Sequence, residues 1–171
     1  GIQLHWGSTV LCKDTRDPYM VALAQQEALE KIKDDLASLM EHGYVVHLAP
    51  RLGIRESRRV VGDTILTMND LKSGKMPEDI ISIGQYYLDV WGERLTEEEK
   101  NLPAFGIPYR SILAKGFSNI LVIGKAISGT HIALSAYRVQ PIVAGIGTGA
   151  GVAASLAIHH QTPLRSIDIS E

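Results

Sequence analysis

The chain has 171 residues, 45% of them hydrophobic and 21% charged, with a formal net charge of −2. It is long enough to bury a core and too apolar to remain disordered, and its charge supplies no field for holding a nucleic acid or an acidic membrane. The single cysteine, Cys12, excludes an intrachain disulfide and any Cys-x-x-Cys metal or redox motif, which fits a reducing, cytoplasmic setting.

The chain begins with glycine, as expected of a processed or truncated product, and no basic stretch followed by an apolar run opens it. The first predicted element is a helix over residues 18–42, with Asp17 as N-cap, Pro18 at its first position and Gly43 just past its end. Leu29, Ile32, Leu36, Leu39 and Met40 recur at helical spacing on one face, with Lys31, Lys33, Asp34 and Asp35 on others. Residues 44–48 read as a strand, and 59–67 as a β-branched run interrupted by Gly62. Residues 69–75 form a short polar helix or turn, 79–90 hold one or two short strands, and 95–101 form a brief helix capped near Thr96. Pro108 keeps 105–109 extended. Residues 119–123 (NILVI) are the best candidate for a buried strand, and a last helix starts near Pro141 and runs towards His160.

That last region, 139–158, has twenty residues without a formal charge, long enough to cross a bilayer. It is rich in glycine and alanine and carries Gln140, Thr148 and Ser155, so it reads as a buried helix and not as a span. Within it Gly145, Gly147, Gly149 and Gly151 alternate, but Ala150 stands where a dinucleotide loop needs its third glycine. Small residues pressed against a neighbour explain the run better than a phosphate cradle does. Elsewhere, residues 51–59 carry four arginines, Arg51, Arg55, Arg58 and Arg59, with Glu56 as partner. Such a cluster suits surface ion pairs or a carboxylate or phosphate. Residues 124–138 follow the 119–123 run with glycine and small polar residues, the pattern of a ligand loop at a strand's carboxyl end, and His131 there has the titration range for proton transfer. No metal-ligand spacing is present, and residue patterns alone reach no further than a mixed α/β domain with a ligand-binding loop.

Four segments in order carry a more specific signal. LGIRESRRVVGDTILTMNDL (52–71), EDIISIGQYYLDVWG (78–92), GIPYRSILAKGFSNILVIGKAISGTHIALSAYRVQPIVAGIGTGAGVAASLA (106–157) and PLRSIDISE (163–171) resemble the C-terminal half of a family of FAD-dependent oxidoreductases, mostly bacterial and often without an assigned substrate. The resemblance covers about residues 44–171 and implies an α/β fragment. Residues 1–118 would belong to a substrate domain, and 119–171 would return to a Rossmann-like FAD domain as strand, loop and glycine-rich helix. It implies that Gly124, Lys125, Ser128, Gly129 and Thr130 lie against the isoalloxazine. Val139, Gln140 and Ile142 would sit at the flavin's pyrimidine edge, at a helix N-terminus. His131 becomes the catalytic candidate, and Arg55, Arg58, Arg59, Tyr109 and Arg110 face a substrate cavity. Two positions depart from the family pattern: Lys125 replaces an arginine and Gly129 an alanine.

The implied function is hydride transfer between a small organic substrate and FAD. The cofactor's adenosine half would be held by an N-terminal segment or chain missing here, and this chain alone is expected to be inactive. Self-association is left open, and neither nucleic acid nor membrane is an expected partner. The rival readings are a non-catalytic phosphate- or nucleotide-binding module and a protein-association domain.

Overall fold

The computed structural model describes residues 9–43, 47–90 and 95–169. It divides into two compact units, Gly1–Ser57 and Arg58–Glu171. The first is built on α1 (Pro18–His42), which starts where the Asp17 carboxylate accepts the Tyr19 N–H. Its buried face is the row Ala24 and Ala28, one turn apart. The larger side chains of the expected stripe are covered less well: Ile32, Leu36 and Leu39 are half-buried, and Leu29 and Met40 are exposed. Within this unit the Thr15 hydroxyl donates to the Glu56 carbonyl (3.0 Å) and the Gln25 amide to the Pro50 carbonyl (3.1 Å). Residues 44–46 of the expected strand lie outside the described residues, and His47 and Leu48 have no regular structure.

The second unit contains α2 (Met68–Lys72), β1 (Ile80–Gly84), α3 (Glu97–Lys100), β2 (Phe105–Pro108), α4 (His131–Tyr137) and α5 (Gln140–His159). The two short strands pair antiparallel, Gly84 opposite Phe105 and Ile80 opposite Pro108, with an irregularity between Ile80 and Ser82. Both short helices begin with a reciprocal cap, Thr67 with Asp70 in α2 and Thr96 with Glu99 in α3.

Helix α5 lies directly on β1, and missing side chains make this possible. A Cβ at Gly149 would stand 2.8 Å from the Ile81 Cβ and 2.9 Å from its carbonyl oxygen, and one at Gly145 would strike the Ser82 hydroxyl. From the strand side, a Cβ at Gly84 would meet Ile142 Cδ1 at 2.7 Å. Gly145 and Gly149 are therefore close-packing residues whose neighbour is this chain's own β1, whereas Gly147 and Gly151 have nothing within 4 Å of where a Cβ would stand. Helix α5 is long and apolar enough to cross a membrane, and only 22% of its most apolar window is buried, which corrects the expectation of a buried helix. That burial is one-sided, through Ile142, Ile146, Ala150 and Ala153.

One core runs through the unit, with Leu71, Leu88, Phe105, Ile107, Ile112, Ile127, Leu134, Tyr137 and Ile146 at its centre. Each such aliphatic or aromatic side chain contributes about 1.5–3 kcal/mol by leaving water. Because residues on both sides of position 118 share this core, the expected division at 118/119 does not separate two cores.

Three element expectations are corrected. Residues 59–67 are extended but form no strand, because their hydrogen bonds alternate between two different segments. Residues 119–123 form no buried strand: Leu121 makes a single bridge to Leu113, and Ile120 and Ile123 are exposed. The supposed loop at 131–137 is helix α4, which Thr130 caps by accepting the Ala133 N–H.

Candidate functional site

The site grows from a junction of three chain segments. Residues 60–66 lie between 110–115 on one side and 126–130 on the other. The Val60 N–H donates to the Ala126 carbonyl, Leu66 to Ser128 and Thr130 to Leu66, while Thr64 donates to Arg110 and Lys115 to Val61. Gly62 sits where the segments are closest. A Cβ there would come within 2.9 Å of the Ser128 Cβ and 3.0 Å of the carbonyl oxygens of Arg110 and Ser111. Leu66 and Gly129 form a parallel bridge, and each of these two segments turns straight into a capped helix, α2 after Thr67 and α4 after Thr130.

Two cavities flank that bridge. The larger, about 430 Å³, is lined by Thr67, Met68, Asn69, Thr130, His131 and Ile132. The smaller, about 240 Å³, is lined by Arg59, Val60, Val61, Ile65, Ser128 and Gly129. The Ser128–His131 run therefore forms a wall of both. Ser128 is 1% exposed, and its hydroxyl has no hydrogen-bond partner. A buried polar atom left unsatisfied costs about 1–3 kcal/mol, a cost that a bound water or a ligand group would relieve. Next to it, Gly129 is required by the Tyr137 ring: a Cβ there would lie 2.7 Å from Tyr137 Cε1 and 2.8 Å from its hydroxyl. The Tyr137 hydroxyl donates to the Ile127 carbonyl at 3.3 Å, which fixes the ring under the loop. His131 is exposed at the first position of α4, beside the α2 cap. In that cap, burial would raise the Asp70 carboxyl, but hydrogen bonds from Thr67 and the nearby Lys75 ammonium outweigh it and hold Asp70 below the usual carboxylate range.

The remaining expected residues divide sharply. Arg59 meets Ser128 and Gly129 in one cavity, and Thr130 meets His131 in the other. Arg58 is exposed. Arg55 belongs to the first unit. Arg110 does not line either cavity: its Nε and Nη2 donate to the Asp79 carboxylate at 2.9 and 3.2 Å, and its backbone N–H adds a third bond. Burial opposes ionisation of Asp79, yet these bonds and the guanidinium charge hold its carboxyl below the ordinary value. Tyr109 is turned inward, 3% exposed, with its hydroxyl on the Leu164 carbonyl at 2.9 Å; burial raises its pKa and keeps it a donor. Tyr109 is thus a packing residue and not the wall of a cavity.

Gly124 adopts φ +76°, a backbone that favours glycine, and Lys125 beside it is exposed. A Cβ at Gly124 would meet only Val143, in the first turn of α5, at 4.0 Å. Helix α5 starts at Val139 without a side-chain cap, and Pro141 contributes no N–H. Gln140 is exposed there, whereas the Ile142 side chain is buried against Gly84. Ile142 can therefore offer a ligand only its backbone. The Gly145–Gly151 run lies inside α5 and forms no loop of amides for a phosphate.

Sequence reasoning missed the α2 side of the larger cavity, Thr67, Met68 and Asn69, and Ile132 of α4. The Thr67-x-x-Asp70 capping pattern was the available signal. Among the described residues, no group of three or more His, Cys, Asp or Glu side chains is arranged to hold a metal ion.

A family model described as "FAD dependent oxidoreductase" matches residues 8–171. No curated protein and no solved structure matches the chain. With nearly its whole length matched, the chain belongs to the FAD-dependent oxidoreductase family, whose cofactor is FAD.

Proposed function

Given that membership, we propose that this chain supplies the ring-facing part of a flavoprotein that moves a hydride between a small organic substrate and FAD. The orphaned Ser128 hydroxyl carries the reading. It is buried in the wall of the smaller cavity, inside the run that the family resemblance assigns to the flavin ring, and a bound polar ring edge would satisfy it. When bound, FAD supplies the electron-accepting centre of the reaction.

The chain's own groups have separable roles in this scheme. Ser128, Gly129 and Thr130 hold the cofactor side of the trough, with Gly124 and Lys125 at its edge and the uncapped N-terminus of α5 at Val139, Gln140 and Ile142 favouring negative charge. His131 passes a proton to or from the substrate, or orients it, from the larger cavity. Arg59 binds substrate. Arg110, with one guanidinium edge fixed by Asp79, and the exposed Arg58 are proposed as outer substrate contacts. Met68 and Ile132 exclude water around the reacting centre.

The adenosine end of FAD is assigned to polypeptide outside residues 1–171. Ile120, Ile123, Val152 and Ile158 are exposed apolar residues beside that expected interface, at 40–79% exposure. Packing of α5 on β1 through Gly145 and Gly149 supports a protein environment for this helix in preference to lipid. The nucleotide-module alternative loses its main feature, because the glycine run is helical.

The test is a visible spectrum of the full-length protein and of its Ser128→Ala variant. The expected result is bound oxidised flavin in the first and about tenfold weaker retention in the second, the equivalent of one lost hydrogen bond. A full-length protein that purifies and refolds with no affinity for FAD would refute the proposal. Residues 1–171 alone are expected to hold little FAD and to show no turnover.

A further inference from the structure

We propose that Arg165 is a positioning residue for the flavin site: its guanidinium ties the 60–66 segment to the 114–117 turn and so sets the walls of both cavities. The word flavin rests on the reading above; the tie itself does not.

The backbone that carries Arg165 is anchored from within. Leu164 and Ile167 pack against the core, and Leu164–Ser166 form one turn of 3-10 helix, in which the Ser166 N–H donates to the Pro163 carbonyl at 2.8 Å. The Tyr109 hydroxyl donates to the Leu164 carbonyl at 2.9 Å. From this turn Nη1 of Arg165 pairs with the Asp63 carboxylate, and Nη2 donates to the carbonyls of Ala114 and Phe117 at 2.7 and 3.0 Å. Those carbonyls belong to the two ends of a turn, which the Phe117 N–H closes on Ala114 at 3.2 Å. A planar fork can serve several acceptors at fixed angles, whereas a lysine ammonium is a single point of charge.

Asp63 is where the tie meets the site. It follows Gly62, which is bridged to Ala114 and has no room for a Cβ beside Ser128 and the carbonyls of Arg110 and Ser111. Before Gly62, the Val61 carbonyl accepts the Lys115 N–H at 2.9 Å. Further along, the Leu66 N–H donates to the Ser128 carbonyl at 3.0 Å, and the Ser128 N–H to the Ser111 carbonyl at 2.9 Å. A shift of residues 61–63 is therefore passed to Val61 and Ile65 in the smaller cavity, and through Leu66 to Thr67 and Met68 in the larger. Arg165 lines neither cavity, so it acts through the walls and not on a ligand.

Exposure separates this role from plain stabilisation. The Asp63 and Arg165 side chains are 30% and 33% exposed, and a pair so open to water adds little to global stability. Its contribution is alignment, because one side chain joins three segments that are far apart in sequence.

The experiment uses the full-length protein and its Arg165→Gln, Arg165→Lys and Asp63→Asn variants. Thr96→Ala, which removes the cap of α3 and touches neither cavity, is the stability control. Flavin retention, melting temperature and hydrogen exchange of the Leu66, Lys115 and Ser128 amides are measured. Arg165→Gln is expected to lower FAD retention about fivefold, as for positions coupled through packed segments, and to speed exchange at these amides. Arg165→Lys should do nearly the same, since the fork and not the charge makes the tie. Thr96→Ala should lower the melting temperature at least as far and leave retention and exchange as in the parent. Parental retention or parental exchange in Arg165→Gln overturns the inference. So does full recovery in Arg165→Lys, or an equal loss of flavin in Thr96→Ala, which would make retention follow stability. If Arg165→Gln fails to fold, Asp63→Asn carries the same test, because it keeps the side-chain shape and weakens one arm of the tie. Flavin-loaded protein that passes every other check but ignores Arg165 defeats this inference alone. Flavin-free parent protein defeats the flavoprotein reading, and the exchange measurement then decides the tie by itself.

Discussion

Helix α5 carries two rows of glycine that are alike in sequence and opposite in circumstance. Gly145 and Gly149 press on β1, where an added methyl group would meet Ser82 and Ile81, whereas Gly147 and Gly151 have nothing within 4 Å of where a Cβ would stand. In the first row the lost helix propensity of about 1 kcal/mol per glycine is offset by close packing. In the second row nothing among the described residues offsets it. The comparison teaches that a glycine repeat records close approach only on the face where a neighbour exists.

The sharpest way to break this comparison is to substitute both rows and measure equilibrium unfolding in urea. Gly149→Ala should have the largest effect, a loss of about 1–3 kcal/mol, because the obstructing atoms include the Ile81 backbone. Gly145→Ala should cost less, since the Ser82 hydroxyl can rotate away. Gly129→Ala belongs with the costly changes, because Tyr137 is held by its bond to Ile127 and cannot step aside without breaking it.

A second measurement contrasts the buried Asp79 pair with the exposed helix. Asp79→Asn should cost about 1–3 kcal/mol by leaving the Arg110 bonds weaker. The sign of its pH dependence follows from a folded carboxyl held below its unfolded value of about 3.9: its stabilisation is complete above that value and is lost as the pH falls through the lower folded one. Unfolding between pH 5 and pH 2 should therefore show a steeper fall in the parent than in the Asn variant.

The smallest effects lie on the open row. Gly147→Ala should stabilise this chain by about 0.5–1 kcal/mol. Gly151→Leu should likewise stabilise residues 1–171 slightly while lowering flavin retention in the full-length protein. Equal behaviour of the two rows in either assay would remove the distinction between a packed and a docking face.

Legibility varied with the range of the forces involved. The start of α1 at Asp17 and Pro18, the cap of α3 at Thr96 and the extended 105–108 segment were all readable, because capping and proline restriction act within a few residues. The 59–67 run misled, since a β-branched stretch looks the same whether it pairs with one neighbour or is shared between two. Helix α4 was hidden because Ser128, Gly129 and Thr130 resemble a loop, although Thr130 is the cap that starts it. At the site, His131 was singled out from its surroundings in sequence. Its neighbours Met68 and Asn69, more than sixty positions earlier, had no local signal of their own beyond the Thr67–Asp70 cap.

By itself the sequence determined the helices with strong caps, the lack of a disulfide and, through the order of its motifs, the FAD-dependent oxidoreductase family. Tertiary structure alone decided that Gly145 and Gly149 touch β1, that Tyr109 turns inward to Leu164, that Arg110 is fixed by Asp79, and that Arg59 and Ser128 share a cavity. The physical reason is that caps and motifs are properties of neighbouring residues, whereas burial and unsatisfied hydrogen bonds exist only once distant segments have excluded water from one another.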